Sequence, residues 1–239
     1  MLKKKVCVIL PCYRVKHKIY TVYKKLIKTK IDCFIFVDDK CPDRSVSYLK
    51  SKIKKNKKVQ YIFLKKNLGV GGATLEGFYS AHNQGYDIII KFDSDNQHKI
   101  GDLIKITKKL NKKKVLFCKG YRKLNLKDSM KRNMPLIRTL GANALTFISK
   151  ITTKNFDLKD VTNGLFGIKS ELLNIINLKD IKKNYFFEQD FIFRICLKKI
   201  KIYQINSEVI YNDETSSLNT LRSIIPFLIY HFQNFFYKN

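Results

Sequence analysis

Five short runs of the chain are apolar almost throughout: 5–10, 33–37, 59–64, 86–92 and 115–118. Between them lie segments with apolar residues at helical spacing, such as Ile19, Val22, Tyr23, Leu26 and Ile27. A strand that is apolar on both faces must be covered on both faces, and strands alternating with helices build a parallel sheet. The expected fold is therefore α/β: a Rossmann-like, mostly parallel central sheet with helices on both faces. In such sheets ligands bind beyond the carboxyl ends of the strands. The first run stops at Pro11-Cys12-Tyr13-Arg14, the second at Asp38-Asp39 and the fourth at Asp93-Ser94-Asp95. The third leads into Asn67-Leu68-Gly69-Val70-Gly71-Gly72. Four polar clusters thus converge on one edge.

Asp93 and Asp95 arrive where the fourth run ends. Residues two apart on an extended chain point the same way, so two like charges converge there and invite a cation. Mg²⁺ or Mn²⁺ takes oxygen ligands, often one or two carboxylates plus substrate phosphates. Gln97 and His98 add neutral ligand candidates. The alternative is a surface turn with two solvated aspartates. The glycine loop before the third helix reads either as a backbone cradle for a diphosphate or as a tight turn with close helix packing. The spacing Gly69-x-Gly71-Gly72 is not G-x-G-x-x-G, and no Lys-Ser/Thr follows, which favours packing.

Net charge is +29, a value that usually suggests nucleic acid or an anionic membrane. The excess is nearly all lysine, spread from Lys3 to Lys238 rather than gathered on one element. Nucleic acid is therefore not expected as a partner. The six cysteines form no C-x-x-C pair, which suits a reducing, cytoplasmic compartment. No signal peptide is expected before the first strand, and no run of 18 apolar residues offers a membrane span. Residues 1–217 read as one catalytic domain, 1–119 and 120–217 as its two halves. Residues 218–239, rich in Ile, Leu and aromatics but broken by Pro226, His231 and Gln233, read as an interfacial helix or a helix packed on a partner.

Pro11-x-Tyr13, Val37-Asp38-Asp39, Asn67-x-Gly69-x-Gly71-Gly72-Ala73 and Asp93-x-Asp95-x-Gln97-His98, in this order, resemble the family 2 glycosyltransferases of GT-A fold. The resemblance is to the branch acting on polyprenyl (dolichol) phosphates, and it covers about residues 5 to 220. It implies an inverting, metal-dependent transfer from a GDP- or UDP-sugar to a polyprenyl phosphate or membrane-linked glycan. Tyr13 and Pro11 would flank the base, Asp39 would bond it with Asp38 behind, and Asn67 and Gly69 would complete the donor site. Asp93 would sit near ribose and metal, and Asp95 with Gln97 would hold the divalent ion. Gly120-Tyr121-Arg122 resembles the family's Gly-Ser-Arg segment. Asp160-Val161-Thr162-Asn163-Gly164 resembles its acceptor-facing segment. Arginine is scarce here, and its planar fork suits phosphate; Arg122, Arg132 and Arg138 are candidates, with solvated surface residues as the alternative. Glu188 matches the family's acidic base position. Asp190 lies about 200° away if both are helical, so only one of the two can face the sugar. Tyr211 to Leu218 resembles a late family segment, and the Q-x-x-R-W motif of processive members is absent. The apolar tail, the lysines throughout the chain and the lack of a spanning segment predict an anionic membrane surface at the cytoplasmic face as a further partner, and a homodimer stays open. The alternatives are a nucleotidyltransferase, which would need glycines where Leu10 to Tyr13 stand, and a basic nucleic-acid-binding protein.

Overall fold

The structure, a computed structural model, describes residues 4–131, 133–184, 186–209, 226–227 and 229–234. The expected segment 211–218, Arg132 and the ends of the tail lie outside the described residues. Seven strands form one sheet: β1 (Val6–Cys12), β2 (Cys33–Asp38), β3 (Val59–Phe63), β4 (Ile88–Lys91), β5 (Phe117–Tyr121), β6 (Phe166–Lys169) and β7 (Ile202–Asn206). Their order is β3-β2-β1-β4-β6-β5-β7. All pairings are parallel except those of β6, which runs against both β4 and β5.

Alternate residues of the strands feed two cores. Cys7, Ile9, Ile35, Ile89 and Phe166 face the side covered by α3 (Gly69–Asn83) and α7 (Phe187–Leu197). Val8, Leu10, Phe34, Phe36 and Ile90 face α1 (Lys16–Leu26), α2 (Ser45–Lys52) and α4 (Ile100–Leu110). Each such side chain, fully buried, contributes roughly 1.5–3 kcal/mol, so the two-sided burial specifies the sheet. Two further helices, α5 (Leu126–Lys131) and α6 (Leu136–Thr153), follow β5.

Register explains how the site forms. Cys12 pairs with Asp38, so β1 and β2 end together; Lys91 pairs with Ile9, so β4 stops three residues earlier and its following turn, Asp93 to Asp95, runs on toward the same edge. Lys91 pairs antiparallel with Phe166. The reversed strand β6 therefore starts where its neighbours finish, and it brings Asn163 and Gly164 to the same edge. Several boundaries differ from expectation. β1 continues through Pro11 and Cys12 because β2 extends beside it, and β5 lies two residues later than its apolar run. β6 and β7 lack a long apolar run of their own; β6 is only four residues long, and β7 is a half-buried edge strand.

The tail helix, residues 226–227 and 229–234, packs on the domain. Phe227, Tyr230 and His231 are buried. Tyr230 stacks on Phe186 at 5.7 Å between centroids, and His231 Nδ1 lies 3.0 Å from Thr152 Oγ1. Ile229 and Phe232 remain exposed. Among the described residues no helix is long and apolar enough to cross a membrane.

Candidate active site

A cavity of about 540 Å³ opens at the carboxyl ends of β1, β2 and β4. Pro11, Tyr13, Asp39, Asn67, Gly69, Asp93 and Asp95 all line it. A larger cavity of about 660 Å³ lies between α1 and α4 near the starting ends of β1 and β2; it is remote from every polar cluster at the strand ends. In the smaller cavity Tyr13 stands 44% exposed. Arg14, in the left-handed region at φ 55°, places its guanidinium 5.4 Å from the Tyr13 ring centre. Asp39 is nearly buried, and its Oδ1 accepts the Leu68 N–H at 2.6 Å. Burial raises its pKa, against those backbone bonds. Asn67 Nδ2 donates to the Asp39 carbonyl at 3.2 Å, and its Oδ1 accepts the Gly69 N–H at 3.1 Å. Gly69 takes φ +78°, open to glycine at little cost. Asp38 lies behind, accepting the Cys41 N–H at 2.8 Å. Gly71 and Gly72 are packing residues: a Cβ on Gly71 would meet Phe187 at 2.6 Å, and the Gly72 N–H donates to the Lys183 carbonyl.

The centre of the site is a residue to which the sequence reading assigned no role. Lys91 ends β4 with 1% of its surface exposed. Its Nζ contacts Asp93 Oδ1 at 2.6 Å, Glu188 Oε1 at 3.0 Å and the Gly164 carbonyl at 3.1 Å. Three donors thus meet three acceptors. Burial alone would lower the lysine pKa; Asp93 and Glu188 outweigh it and hold the ammonium above the ordinary lysine range. The other Asp93 oxygen lies 3.0 Å from His98 Nε2. Burial would raise the Asp93 pKa, but Lys91 and His98 hold it well below the usual carboxylate range. Gly164 packs against the pair, since a Cβ there would stand 2.6 Å from Asp93 Oδ2 and 2.8 Å from Lys91 Nζ and would push the two side chains from their places. A lysine inside the run Ile88 to Phe92 was the available clue, because lysine is almost never fully buried unless paired.

Ser94 Oγ donates to the Pro11 carbonyl at 2.7 Å and pins the turn to β1. Asn96 takes φ 67°, and Asp95 Oδ1 accepts the Gln97 N–H at 3.0 Å. Among the described residues no three His, Cys, Asp or Glu side chains gather to hold a metal. Asp93 is occupied by Lys91 and His98, and His98 is turned to Asp93. Asp95 lines the cavity while Gln97 and His98 do not. This set is not a closed protein cage. It does fit a hard ion bound through one carboxylate and substrate phosphates.

On the other side Glu188 and Asp190 part as helix geometry requires. Glu188, in the first turn of α7, reaches Lys91. Asp190 is buried and turned away. It accepts from the Lys182 N–H at 2.8 Å, Arg194 Nε at 3.2 Å and the Tyr230 hydroxyl at 2.8 Å. Arg122 is also buried. Its Nε and Nη2 fork onto Asp160 at 2.7 and 3.0 Å, and Nη2 meets Thr162 Oγ1. Burial would raise the Asp160 pKa; Arg122 reverses this and holds it low. The neighbouring Lys119 is lowered to about 8, by burial first, with Asp160 opposing. Asn163 Oδ1 accepts the Leu165 N–H at 2.9 Å, and its buried Nδ2 has no partner among the described residues. Arg138 lies half-buried on α6.

Residues 7–175 match the family described as Glycosyl transferase family 2. This chain belongs to that family. It is similar to a UDP-N-acetylglucosamine–dolichyl-phosphate N-acetylglucosaminyltransferase of Methanococcus voltae, 26% identical over 97% of this chain and 95% of the relative. An undecaprenyl-phosphate mannosyltransferase of Micrococcus luteus is 25% identical over 72% of this chain and 69% of its own length. Glucosyl-3-phosphoglycerate synthase of Mycobacterium tuberculosis, solved with Mn²⁺, UDP and phosphoglyceric acid, superposes with a TM-score of 0.68 at 15% identity. The match covers 95% of this chain and 78% of that one. The fold is thus GT-A, and the protein is a glycosyltransferase whose relatives include polyprenyl-phosphate sugar transferases. In this family 2 glycosyltransferase the cavity and the Lys91 cluster share one sheet edge, about the strand β4 that carries both.

Proposed function

We propose that the enzyme moves a sugar, with inversion, from a nucleotide-diphosphate donor to the phosphate of a polyprenyl phosphate. The observation that carries the choice of acceptor is the Lys91 ammonium, 3.0 Å from Glu188. A general base must take a proton in the transition state. If Glu188 took one, the buried ammonium would lose one of its two counter-charges, a costly change at low dielectric. A hydroxyl acceptor would demand this step. A phosphate oxygen is already an anion and attacks without surrendering a proton. Glu188 then holds Lys91, and through it Asp93 and Gly164, in place. The names of the Methanococcus voltae and Micrococcus luteus relatives support the same acceptor class.

The donor lies in the 540 Å³ cavity with its base near Tyr13 and Asp39 and its diphosphate toward Asp95. A uridine donor is supported by the Methanococcus voltae relative and by the UDP in the Mycobacterium tuberculosis structure. Asp95, together with the donor phosphates, would hold Mg²⁺ or Mn²⁺, which when bound would neutralise the charge building on the departing diphosphate. The protein works at the cytoplasmic face of a membrane. Its test is a panel of UDP-, GDP- and dTDP-sugars with each metal, offered a short prenyl phosphate or a prenyl alcohol. Transfer to the phosphate with one nucleotide is expected. Transfer to the alcohol alone would overturn the proposed acceptor.

A further inference from the structure

Helix α6 is built inside out. Leu136, Leu140, Phe147 and Ile151 recur at spacings that return to one helical face, and a helix of a globular domain normally turns such a face inward. Here all four are exposed, Phe147 to 63%. The inward face is made of Thr139, Ala142, Thr146, Ser149 and Thr152. Hydrogen bonds hold this inversion. Thr146 Oγ1 donates to the Ala142 carbonyl at 2.7 Å and Thr153 Oγ1 to the Ser149 carbonyl at 2.6 Å, so buried hydroxyls are satisfied within the helix. Ser149 and Thr152 meet His231 of the tail helix on that side. The exposed face is extended by Met130 before α6 and Phe156 after it. Exposed apolar side chains scattered singly mean little. A stripe along an 18-residue helix, about 27 Å at 1.5 Å per residue, marks an interaction surface.

We infer that this face seats the protein on an anionic lipid bilayer, with α6 lying in the plane of the headgroups. Charge selects that occupant. The helix contains no Asp or Glu, and its charged residues are Arg138 and Lys150. Beside it a cavity of about 470 Å³ is lined by Lys123, Lys150 and Lys159, with Phe156 and the single acid Asp157; Arg122 also borders it but is buried against Asp160. A second copy presenting the same face would set cations against cations, on a chain of net charge +29. An anionic bilayer supplies both an apolar interior and the counter-charge. This locates membrane contact on α6, whereas the tail helix spends Phe227, Tyr230 and His231 on the domain. A lipid-linked acceptor, under the function proposed above, would be met at this surface; the seat itself is measured with neither donor nor acceptor present.

The chain has no tryptophan, so Phe147→Trp creates a single reporter. Phe63→Trp, on the far edge strand β3, is its control. With vesicles of about 30% phosphatidylglycerol in phosphatidylcholine, emission from Phe147→Trp should shift blue and be quenched by brominated acyl chains, while Phe63→Trp should not respond. Leu140→Ser with Phe147→Ser should lower vesicle co-flotation roughly tenfold, with part of the wild-type binding surviving about 1 M salt. Its melting temperature and its transfer to a water-soluble prenyl phosphate should be unchanged. No response from Phe147→Trp, or equal flotation of the double variant, overturns the inference. So does a wild-type dimer that the double variant dissolves while vesicle binding is unaffected. If the double variant melts early, the tryptophan reporters alone decide.

Discussion

On the proposed donor side Asp39, Asn67, Ser94 and Asp95 sit on loops closed by short bonds to backbone groups, and the residues around them face an open cavity. On the proposed acceptor side the charged residues face one another. Lys91 holds Glu188, Arg122 holds Asp160, and Asp190 holds Arg194 and Tyr230. Loop bonds of the first kind are worth about 1 kcal/mol each and can be lost singly. Buried charges of the second kind are costly to orphan, because the partner left behind has no water to turn to. Damage on the donor side should therefore appear in turnover, and damage among the buried pairs in stability.

Lys91→Met breaks that division most severely, because Lys91 belongs to both sides. It would leave Asp93 and Glu188 together without their shared cation. Stability should fall by about 3–5 kcal/mol, or roughly 10 °C in melting temperature for a chain of this size, and turnover should collapse with it. Adding Glu188→Gln to the same chain should restore part of the loss. A melting temperature within a degree of wild type would show that the ion cluster does not hold the site together.

Asp95→Asn probes the donor side alone. Turnover and metal-dependent donor binding should fall about 10²–10³-fold, the scale for losing one group that stabilises developing charge. Calorimetry should find the fold intact, since Asp95 is partly exposed on its turn. Full activity of this variant, or of wild type in excess chelator, would refute the metal role.

How much of this was legible beforehand follows the same line. The donor edge could be read because continuous apolar strands end in polar residues, and local sequence carries both signals. Tyr13, Asp39 and Asp95 line one cavity for that reason. The acceptor side depends on pairings distant in sequence. The reversal of β6 is set by its register with β4, and nothing in Phe166–Lys169 announces it. The inversion of α6 contradicts the pattern of Leu140 to Ile151, which a periodicity argument turns inward. Threonine hydroxyls that bond back to their own helix make the opposite choice affordable. Lys91 stood in plain view, but its partners lie 2, 73 and 97 positions away.

Acid should loosen the tail before it harms the site. His231 is buried, and burial lowers its pKa from 6.5 to about 4. The unfolded or undocked chain then binds a proton that the docked helix refuses, so stability falls as pH drops from 6.5 toward 4. The full span would be worth up to about 3 kcal/mol. His231→Phe should flatten this slope, read as hydrogen exchange in residues 226–234. A slope that survives the substitution would assign it to other groups.

The smallest expected effect on turnover sharpens the comparison most. Glu188→Gln keeps the size of the side chain and an oxygen for the Lys91 ammonium, while Asp93 still supplies a counter-charge. On a prenyl phosphate the nucleophile carries its own charge, and no proton has to be removed. The cost should therefore stay below about tenfold in turnover, against the 10²–10⁴ that loss of a general base produces. The pH–rate profile of the variant should lose no limb that wild type shows. On a prenyl alcohol, if any transfer is measurable, the same substitution should cost the larger factor. Asp190→Asn is the companion variant. Its side chain ties Lys182, Arg194 and Tyr230 rather than the site, so it should lower the melting temperature and leave turnover per folded molecule nearly unchanged. A hundredfold loss in Glu188→Gln on the phosphate acceptor would make Glu188 the base after all. If Asp190→Asn is the more damaging to turnover with either acceptor, the roles of the two acids are reversed.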